Sequence, residues 1–497
     1  MTSAPAHTER FDRRLADSSL LQTGAFIDGA WLDDAPNGRF DVMDPATGET
    51  IAAVRSCGRH ETAIAIRAAA QALDAWRDRP ARARSRALKA IHAKILQHAE
   101  DLAQLITWES GKPIGEARGE VSYGAAYIEW FAEQAPRANG DIIPPPASDR
   151  MVLVTRAPVG VVACITPWNF PLAMLARKIA PALAAGCTVV CKPSEETPLT
   201  AFALAELAHS AGLPRGVLNV VAGDAAEIGA ALLESDTVRK LTFTGSTAVG
   251  KQLAASAART VKRTSMELGG NAPCIVFADA DLQRAAMGLM SAKFRNAGQT
   301  CIAVNRVLIA RSIADDLAHE LRERMSMLRL GPGRSDTTSM GPLIHKRAAD
   351  RVERLLQAAQ RDGATVERFG STDGLGPAFV RPALVTNAAP SLDICTLEVF
   401  GPVLTMLTFD DEDEAVEMAN ATPSGLAAYL YSQDHRRLLR VGARLHAGMI
   451  GANETALSNE AAPFGGVKES GYGREGSVHG LDDYLDHKYL CLGGLST

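Results

Sequence analysis

The 497-residue sequence has no apolar run that approaches the roughly 18 residues needed to cross a membrane. Its longest candidates, Pro158–Ile165 and Ala182–Val190, are short and contain Gly or Pro. The N-terminal residues carry charges with no apolar segment behind them, so no secretory signal is expected. An amphipathic transit peptide stays open, although acidic residues in the same stretch disfavour one. We expect no membrane association.

The sequence also lacks a basic excess and a disulfide pattern. Its 52 Lys and Arg residues against 57 Asp and Glu residues give a net charge of −5, which disfavours a general nucleic-acid binder. The eight cysteines are scattered, with no Cys-x-x-Cys pair. This pattern is typical of reduced thiols in a cytoplasmic enzyme, and we expect neither a disulfide framework nor a metal site. The length predicts roughly two to four domains.

Strands and helices alternate over much of the chain. Apolar residues at helical spacing predict helix over Thr62–Leu102 and again over Ile114–Glu133. The β-rich runs Met151–Arg156 and Val159–Ile165 predict a hairpin that leads into a buried strand. The strands that follow are largely apolar, as a parallel sheet covered by helices requires. Roughly 159–266 is therefore predicted to form a doubly wound nucleotide-binding sheet.

A second alternating region begins at Ala272–Phe277 and includes a strand near Val403–Phe409. It predicts a second α/β domain. The tail, Tyr484–Leu492, reads as extended chain and is predicted to pair with a hairpin at 140–157.

Two glycine-rich patterns are present, and neither meets its full context. Gly245–Lys251 fits G-x4-G-K, but Gln252 follows where a P-loop would place the Ser or Thr that binds Mg²⁺. A nucleotide hydrolase is therefore disfavoured, whereas a helix N-terminus that receives a pyrophosphate remains plausible chemistry. Gly471–Gly476 fits G-x-G-x-x-G without a preceding strand, and we interpret it as a turn-rich loop.

Three polar residues are candidates for catalysis. Cys301 follows a polar, Gly-containing segment, where a nucleophilic thiol finds backbone amides and access. Glu267 lies at the junction of the two α/β regions, where burial would raise the pKa of a base. Asn169 follows an apolar strand, at the end where ligands of parallel sheets bind. Each residue also has an ordinary structural interpretation: a free thiol, an exposed charge and a turn.

The chain resembles the aldehyde dehydrogenase superfamily from about residue 20 to its end, and within it the succinate-semialdehyde dehydrogenases. Seven runs carry the resemblance in the same order and spacing. They are Thr166–Pro171, Lys192–Glu195, Phe243–Thr247, Glu267–Gly270, Gly298–Cys301, Glu398–Pro402 and Pro463–Gly466. The segments Phe294–Cys301, Gly465–Gly476 and Leu481–Tyr484 carry the resemblance to the narrower group.

The resemblance implies a catalytic role for four residues. Cys301 would attack the aldehyde carbon, with Asn169 and the backbone N–H of Cys301 holding the oxyanion. Glu267 would activate the water that hydrolyses the resulting thioester. Lys178 would lie near the nicotinamide ribose and help order the site.

The resemblance also implies NAD as cofactor, with NADP possible but less favoured. Lys192 and Glu195 would meet the adenosine ribose, Ser246 and the amides after Gly245 the pyrophosphate, and Glu398 the nicotinamide ribose. The full set of residues expected at the cofactor is Thr166, Pro167, Trp168, Lys192, Ser194, Glu195, Gly245, Ser246, Leu268, Glu398 and Phe400.

Substrate and assembly follow from the same resemblance. Arg177, Arg295 and Ser458 match positions that grip a substrate carboxylate, which implies succinate semialdehyde, with glutarate semialdehyde or a broader aldehyde range as the alternative. The implied fold is α/β, with a Rossmann-like cofactor domain over 1–137 and 158–266 and a catalytic domain over 267–458. A β-hairpin element for formation of a homodimer or homotetramer covers 138–157 and 480–497, and residues 459–479 form a connecting loop region. A catalytically inactive protein on this scaffold is the remaining class, disfavoured by the four catalytic residues.

Overall fold

The computed structural model describes residues 15–495, so the residues behind the expectations about a signal or transit segment lie outside it. The strands, in chain order, are β1 Ala25–Ile27, β2 Ala30–Leu32, β3 Arg39–Met43, β4 Thr50–Arg55, β5 Asp141–Ile143, β6 Met151–Pro158, β7 Val161–Ile165, β8 Thr188–Lys192, β9 Leu218–Val220, β10 Val238–Thr244, β11 Arg263–Glu267, β12 Ala272–Val276, β13 Val304–Ala310, β14 Thr365–Arg368, β15 Ala383–Thr386, β16 Val403–Phe409, β17 Ala427–Tyr431, β18 Met449–Ala452, β19 Gly471–Tyr472 and β20 Leu485–Leu492.

The helices pack on both faces of the sheets. In chain order they are α1 Arg59–Arg77, α2 Ala81–Gln97, α3 Ala99–Ser110, α4 Ile114–Gln134, α5 Pro171–Ala185, α6 Leu199–Ser210, α7 Ala225–Glu234, α8 Thr247–Ala258, α9 Leu282–Phe294, α10 Ala314–Ser326, α11 Lys346–Arg361, α12 Asp393–Thr396, α13 Glu412–Asn420, α14 His435–Arg444 and α15 Ser477–Asp482. Within the described chain, none of these helices combines the length and the apolar character that a membrane crossing needs.

The first sheet confirms the doubly wound prediction. Its eight strands run in the order β19-β11-β10-β7-β8-β9-β1-β2, and those from β11 to β9 are parallel. β8 and β9 lie on one side of β7, whereas β10 and β11 lie on the other. Ligands of such sheets bind at the carboxyl ends of the strands where the order reverses. The loops after β7 and β10 are therefore placed to form a site.

The second sheet has seven strands in the order β14-β15-β16-β13-β12-β17-β18. All its pairs are parallel except β14 with β15. Apolar side chains form one core on this sheet and separate cores on the two faces of the first sheet. The predicted second α/β region is confirmed.

The predicted hairpin between Met151–Arg156 and Val159–Ile165 is wrong. β6 pairs with β5 on one side and with β20 on the other, which forms a separate three-stranded sheet and confirms the predicted pairing of the tail. β7 instead pairs with β8 and β10. Every residue of β7 is buried, whereas β6 is mostly exposed or half-buried, so the two runs suit different sheets.

Two smaller corrections concern chain breaks. The helix predicted over Thr62–Leu102 is three helices, because Pro80 has no backbone N–H to continue α1 and the chain breaks again at His98. The segment interpreted as a turn-rich loop contains β19, which pairs antiparallel with the end of β11.

Candidate active site

The carboxyl ends of the first sheet open onto a cavity of about 680 Å³ that the second sheet and the loop at 455–464 complete. The cavity brings together most of the residues that the sequence predicts for the site. Those that line it are Pro167, Trp168, Asn169, Arg177, Gly245, Ser246, Glu267, Leu268, Arg295, Cys301, Glu398, Phe400 and Ser458. Thr166, Lys178, Lys192, Ser194 and Glu195 do not line it.

Cys301 lies at the end of a constrained segment that follows α9. Asn296 and Ala297 have left-handed backbone conformations, with φ of 50° and 53°, which non-glycine residues adopt at a cost. At Gly298 a Cβ would lie 2.2 Å from the carbonyl oxygen of Gly401, so only glycine fits. Burial raises the pKa of the Cys301 thiol to about 12, although Arg177 favours the thiolate. Burial therefore disfavours the thiolate of Cys301, and Arg177 opposes that effect.

Asn169 is held from several sides. Its carbonyl oxygen accepts hydrogen bonds from Lys112 Nζ at 2.7 Å and from Asn296 Nδ2 at 3.0 Å. Its own Nδ2 donates to the carbonyl oxygen of Gln299 at 3.0 Å. These contacts tie the loop after β7 to the segment before Cys301, so the amide donor and the thiol form one rigid unit. The sequence analysis did not identify Lys112 or Gln299.

Glu267 ends β11 and is buried, with 3 % of its surface exposed. Both carboxylate oxygens have no hydrogen-bond partner among the described residues. Burial and the nearby Glu475 raise the pKa of Glu267 well above its usual range, against the opposing effect of Arg177 and Lys178. Burial thus favours the protonated form of Glu267, whereas the nearby cations favour the carboxylate.

Beneath Glu267 lies a buried cluster that the sequence analysis missed. Glu475 contacts Arg177 at 2.5 Å and also pairs with Lys178. Burial opposes ionisation of Glu475, but these two cations outweigh it and lower the pKa of Glu475. Lys178 also donates to Thr242 at 3.2 Å and does not line the cavity, so any ordering effect on the site acts through Glu475. In the sequence, Glu475 is marked only by its position as an acidic residue within the glycine-rich run Gly471–Gly476.

Arg177 also contacts the cavity wall. Its Cζ lies 3.9 Å from the ring centre of Phe464, and one of its guanidinium nitrogens donates to Tyr123 Oη at 3.2 Å. Arg295 is more open: the residue is exposed, and its Cζ lies 5.4 Å from the ring centre of Phe170. Ser458 is half-buried on the same cavity. Arg295 is consequently the guanidinium available to an incoming anion.

The other end of the cavity suits a dinucleotide. Ser246 caps α8 by accepting the N–H of Val249, and the first N–H groups of α8 face a site where an anion is favoured. A Cβ at Gly269 would lie 2.7 Å from Glu398 Oε2, so glycine leaves space for that carboxylate. Burial raises the pKa of Glu398 to about 7. Phe400 packs its ring edge-on against Trp168, with centres 5.4 Å apart.

The remaining predicted cofactor residues lie at the carboxyl ends of β7 and β8, outside the cavity lining. Lys192 Nζ lies 2.6 Å from Glu195 Oε2. The backbone N–H of Thr166 donates to the carbonyl oxygen of Lys192, and Ser194 is buried beside it. Lys251, the lysine of the G-x4-G-K run, instead pairs with Glu469 at 2.8 Å.

These features fit a class of protein first: an oxidoreductase with a thiol, a buried carboxyl group and room for a dinucleotide at the edge of a doubly wound sheet. A family model described as "Aldehyde dehydrogenase family" matches residues 31–490. The chain therefore belongs to the aldehyde dehydrogenase family, and the prediction of an NAD(P)-dependent aldehyde dehydrogenase is confirmed.

Similar proteins carry more specific names. The chain is 51% identical to "Succinate-semialdehyde dehydrogenase, mitochondrial" of Arabidopsis thaliana, over 97% of this chain and 92% of that one. It is 46% identical to "Succinate-semialdehyde dehydrogenase [NADP(+)] GabD" of Escherichia coli (strain K12), over 97% and 100%. The solved structure of succinate-semialdehyde dehydrogenase from Burkholderia pseudomallei superposes with a TM-score of 0.95 at 47% identity, covering 97% of this chain and all of that one.

Proposed function

We propose that this chain oxidises succinate semialdehyde to succinate. The observation that carries the proposal is that Arg295 and Ser458 share one cavity with Cys301, Glu267 and Asn169. A cavity that joins a thiol nucleophile to an available guanidinium suits a short aldehyde with a carboxylate at its far end. The names of the similar proteins support the same substrate class.

The geometry supports a covalent mechanism. Cys301 gives its proton to water, and the thiolate attacks the aldehyde carbon to give a thiohemiacetal whose negatively charged oxygen Asn169 Nδ2 and the Cys301 N–H stabilise. NAD(P), when bound, supplies the acceptor for the hydride that leaves this carbon, and a thioester on Cys301 remains. Glu267, in its carboxylate form, then takes a proton from water as the water attacks the thioester carbonyl, and it passes that proton to the departing sulfur, which releases the acid and restores the Cys301 thiol.

The substrate carboxylate is proposed to bind chiefly at Arg295. Arg177 is buried and pairs with Glu475 at 2.5 Å, but its Nε has no hydrogen-bond partner among the described residues, so it is proposed as the second, less exposed guanidinium for the carboxylate. One extra methylene changes the fit by only about 1–3 kcal/mol, so glutarate semialdehyde is the nearest alternative substrate.

The test is Arg295→Ala assayed with succinate semialdehyde and with butanal. A charge-assisted hydrogen bond contributes about 1.5–3 kcal/mol, so kcat/KM for the semialdehyde should fall about 10- to 150-fold. Butanal carries no carboxylate and should lose much less. An equal loss on both substrates would mean that Arg295 is structural, and the specificity would be unknown.

NAD is proposed as the preferred cofactor because Glu195 stands where an acidic residue accepts hydrogen bonds from ribose hydroxyls. A 2′-phosphate there would meet a like charge. The ion pair from Lys192 at 2.6 Å reduces that repulsion, so some activity with NADP is expected. We propose accordingly that the part of the chain around the first sheet binds the cofactor and that the part around the second sheet carries out catalysis.

A homodimer or homotetramer is proposed from the three-stranded sheet. Its outer strands, β5 and β20, each leave one edge unpaired among the described residues. Ile142 and Tyr489 on these strands are 78% and 65% exposed. A second copy of the chain would cover both features.

The cytoplasm is the proposed compartment, because all eight cysteines lie in the described chain and none forms a disulfide.

A further inference from the structure

One face of α4 lines the cavity, yet none of the catalytic steps uses it. Glu116, Gly119, Glu120 and Tyr123 follow each other at helical spacing and all line the cavity. Glu120 is fully engaged: one carboxylate oxygen accepts the first backbone N–H groups of α5, and the other binds Lys112 at 2.5 Å. Glu116 is the carboxylate on this face whose role is left to explain.

Glu116 is attached to the segment that carries the catalytic thiol. Its Oε2 accepts the backbone N–H of Asn296 at 2.7 Å. Asn296 is the first of the two residues with left-handed backbone conformation, and it stands between Arg295 and Cys301. A hydrogen bond at this point fixes the start of the segment, and with it the position of Arg295.

The charge of Glu116 also acts on the anion site. The ionisable groups that face it are Lys112 from the preceding loop, Glu120 from its own helix and Arg295 from the segment after α9. Burial raises the pKa of Glu116 to about 7, although Lys112 and Arg295 favour the ionised form. Its carboxylate and an incoming substrate carboxylate would therefore face the same guanidinium from one cavity.

We propose that Glu116 is a specificity-determining residue: its carboxylate positions Arg295 and competes with the substrate carboxylate for that guanidinium. The inference rests on the proposed function, because it requires an aldehyde that carries a carboxylate. Only the ionised form of Glu116 competes. Preference for the semialdehyde over a neutral aldehyde should therefore decrease as Glu116 loses its proton.

The experiment compares Glu116→Gln with the wild type. Glutamine retains an oxygen that can accept the Asn296 N–H, but it removes the negative charge. The measured quantity is the ratio of kcat/KM for succinate semialdehyde to kcat/KM for butanal, which cancels the titration of groups common to both reactions. At about pH 8 the variant should show a ratio about three- to tenfold above the wild type, as removal of a nearby like charge in a cavity predicts. At about pH 6, where Glu116 is largely protonated, the two ratios should converge.

Two other results would overturn the inference. Equal ratios at both pH values would mean that Glu116 is only structural, and a lower ratio in Glu116→Gln would mean that its charge holds Arg295 without competing. The matched control is Glu133→Gln, an exposed carboxylate on the same helix that pairs with Lys89 and does not line the cavity. Its ratio should equal the wild-type value at both pH values.

The design separates this inference from the proposed function. If Arg295→Ala reduces the ratio as expected while Glu116→Gln leaves it unchanged, the proposed function stands and the role of Glu116 fails. If the wild type shows no preference for the semialdehyde and Arg295→Ala changes nothing, both fail. Should Glu116→Gln not fold, Glu116→Ala takes its place in the same comparison: its ratio should also exceed the wild-type ratio at about pH 8, and an equal or lower ratio overturns the inference.

Discussion

Glu475 is the buried residue whose replacement should perturb the site most. Its carboxylate compensates two cations, Arg177 and Lys178, which are 1% and 0% exposed. Glu475→Gln keeps the size of the side chain and removes its charge, so two uncompensated cations remain buried. Removal of one partner from a buried pair costs about 3–5 kcal/mol, and we expect a loss of stability of that order at neutral pH.

The pH dependence follows from the direction of the pKa shift. Because the pKa of Glu475 is lowered in the folded protein, its stabilisation is present above the unfolded pKa, near 4.5, and is lost as the pH falls through the folded value. The difference between wild type and variant should thus be largest near neutral pH and decrease in acid. Urea unfolding of wild type and variant, at neutral pH and again in acid below the unfolded pKa, measures this difference in stability as the difference between the midpoint urea concentrations.

A matched control lies six residues earlier in the chain. Glu469 pairs with Lys251 at 2.8 Å, but both side chains are about half exposed. Surface pairs contribute about 0–1 kcal/mol, so Glu469→Gln should shift the midpoint little. Equal midpoints for Glu475→Gln and the wild type at neutral pH would refute the reasoning, since the two cations would then need no buried counter-charge.

Three further predictions concern catalysis, cofactor and assembly. Cys301→Ala should abolish oxidation without loss of NAD binding by fluorescence titration, whereas Glu267→Gln should give a single burst of NADH followed by slow turnover; unchanged steady-state turnover in Glu267→Gln would exclude it as the base. The ratio of kcat/KM should favour NAD over NADP, because a 2′-phosphate near Glu195 costs about 1–4 kcal/mol, and Glu195→Gln should reduce that preference; a wild-type preference for NADP would contradict this. Light scattering at micromolar concentration should give a multiple of the 52.7 kDa chain mass, and a monomer mass would disprove the proposed oligomer.

The sequence predicts those parts of the molecule that depend on local pattern. Apolar strands such as β7 and the helix after Gly245 follow from composition and spacing, and the resemblance identifies the residues around Cys301. The sequence did predict that the extended tail pairs with β6, but local pattern wrongly joined β6 to β7, because the strands that flank β7 in the sheet, β8 and β10, come later in the chain. Glu475 was missed for the same reason, since its contacts to Arg177 and Lys178 exist only in the folded chain.

The charges around Cys301 favour one negative charge in the cavity at a time, on either the thiol or Glu267. Arg177 and Lys178 with Glu475 leave one positive charge without a counter-charge beneath the cavity. Arg177 favours both the thiolate of Cys301 and the carboxylate of Glu267, whereas each of those two anions disfavours the other. In the proposed mechanism the thiolate attacks the aldehyde, and the carboxylate acts only after formation of the thioester has removed that charge. We infer that Arg177 stabilises these two anions in turn, which offsets the effect of burial on both groups in one cavity.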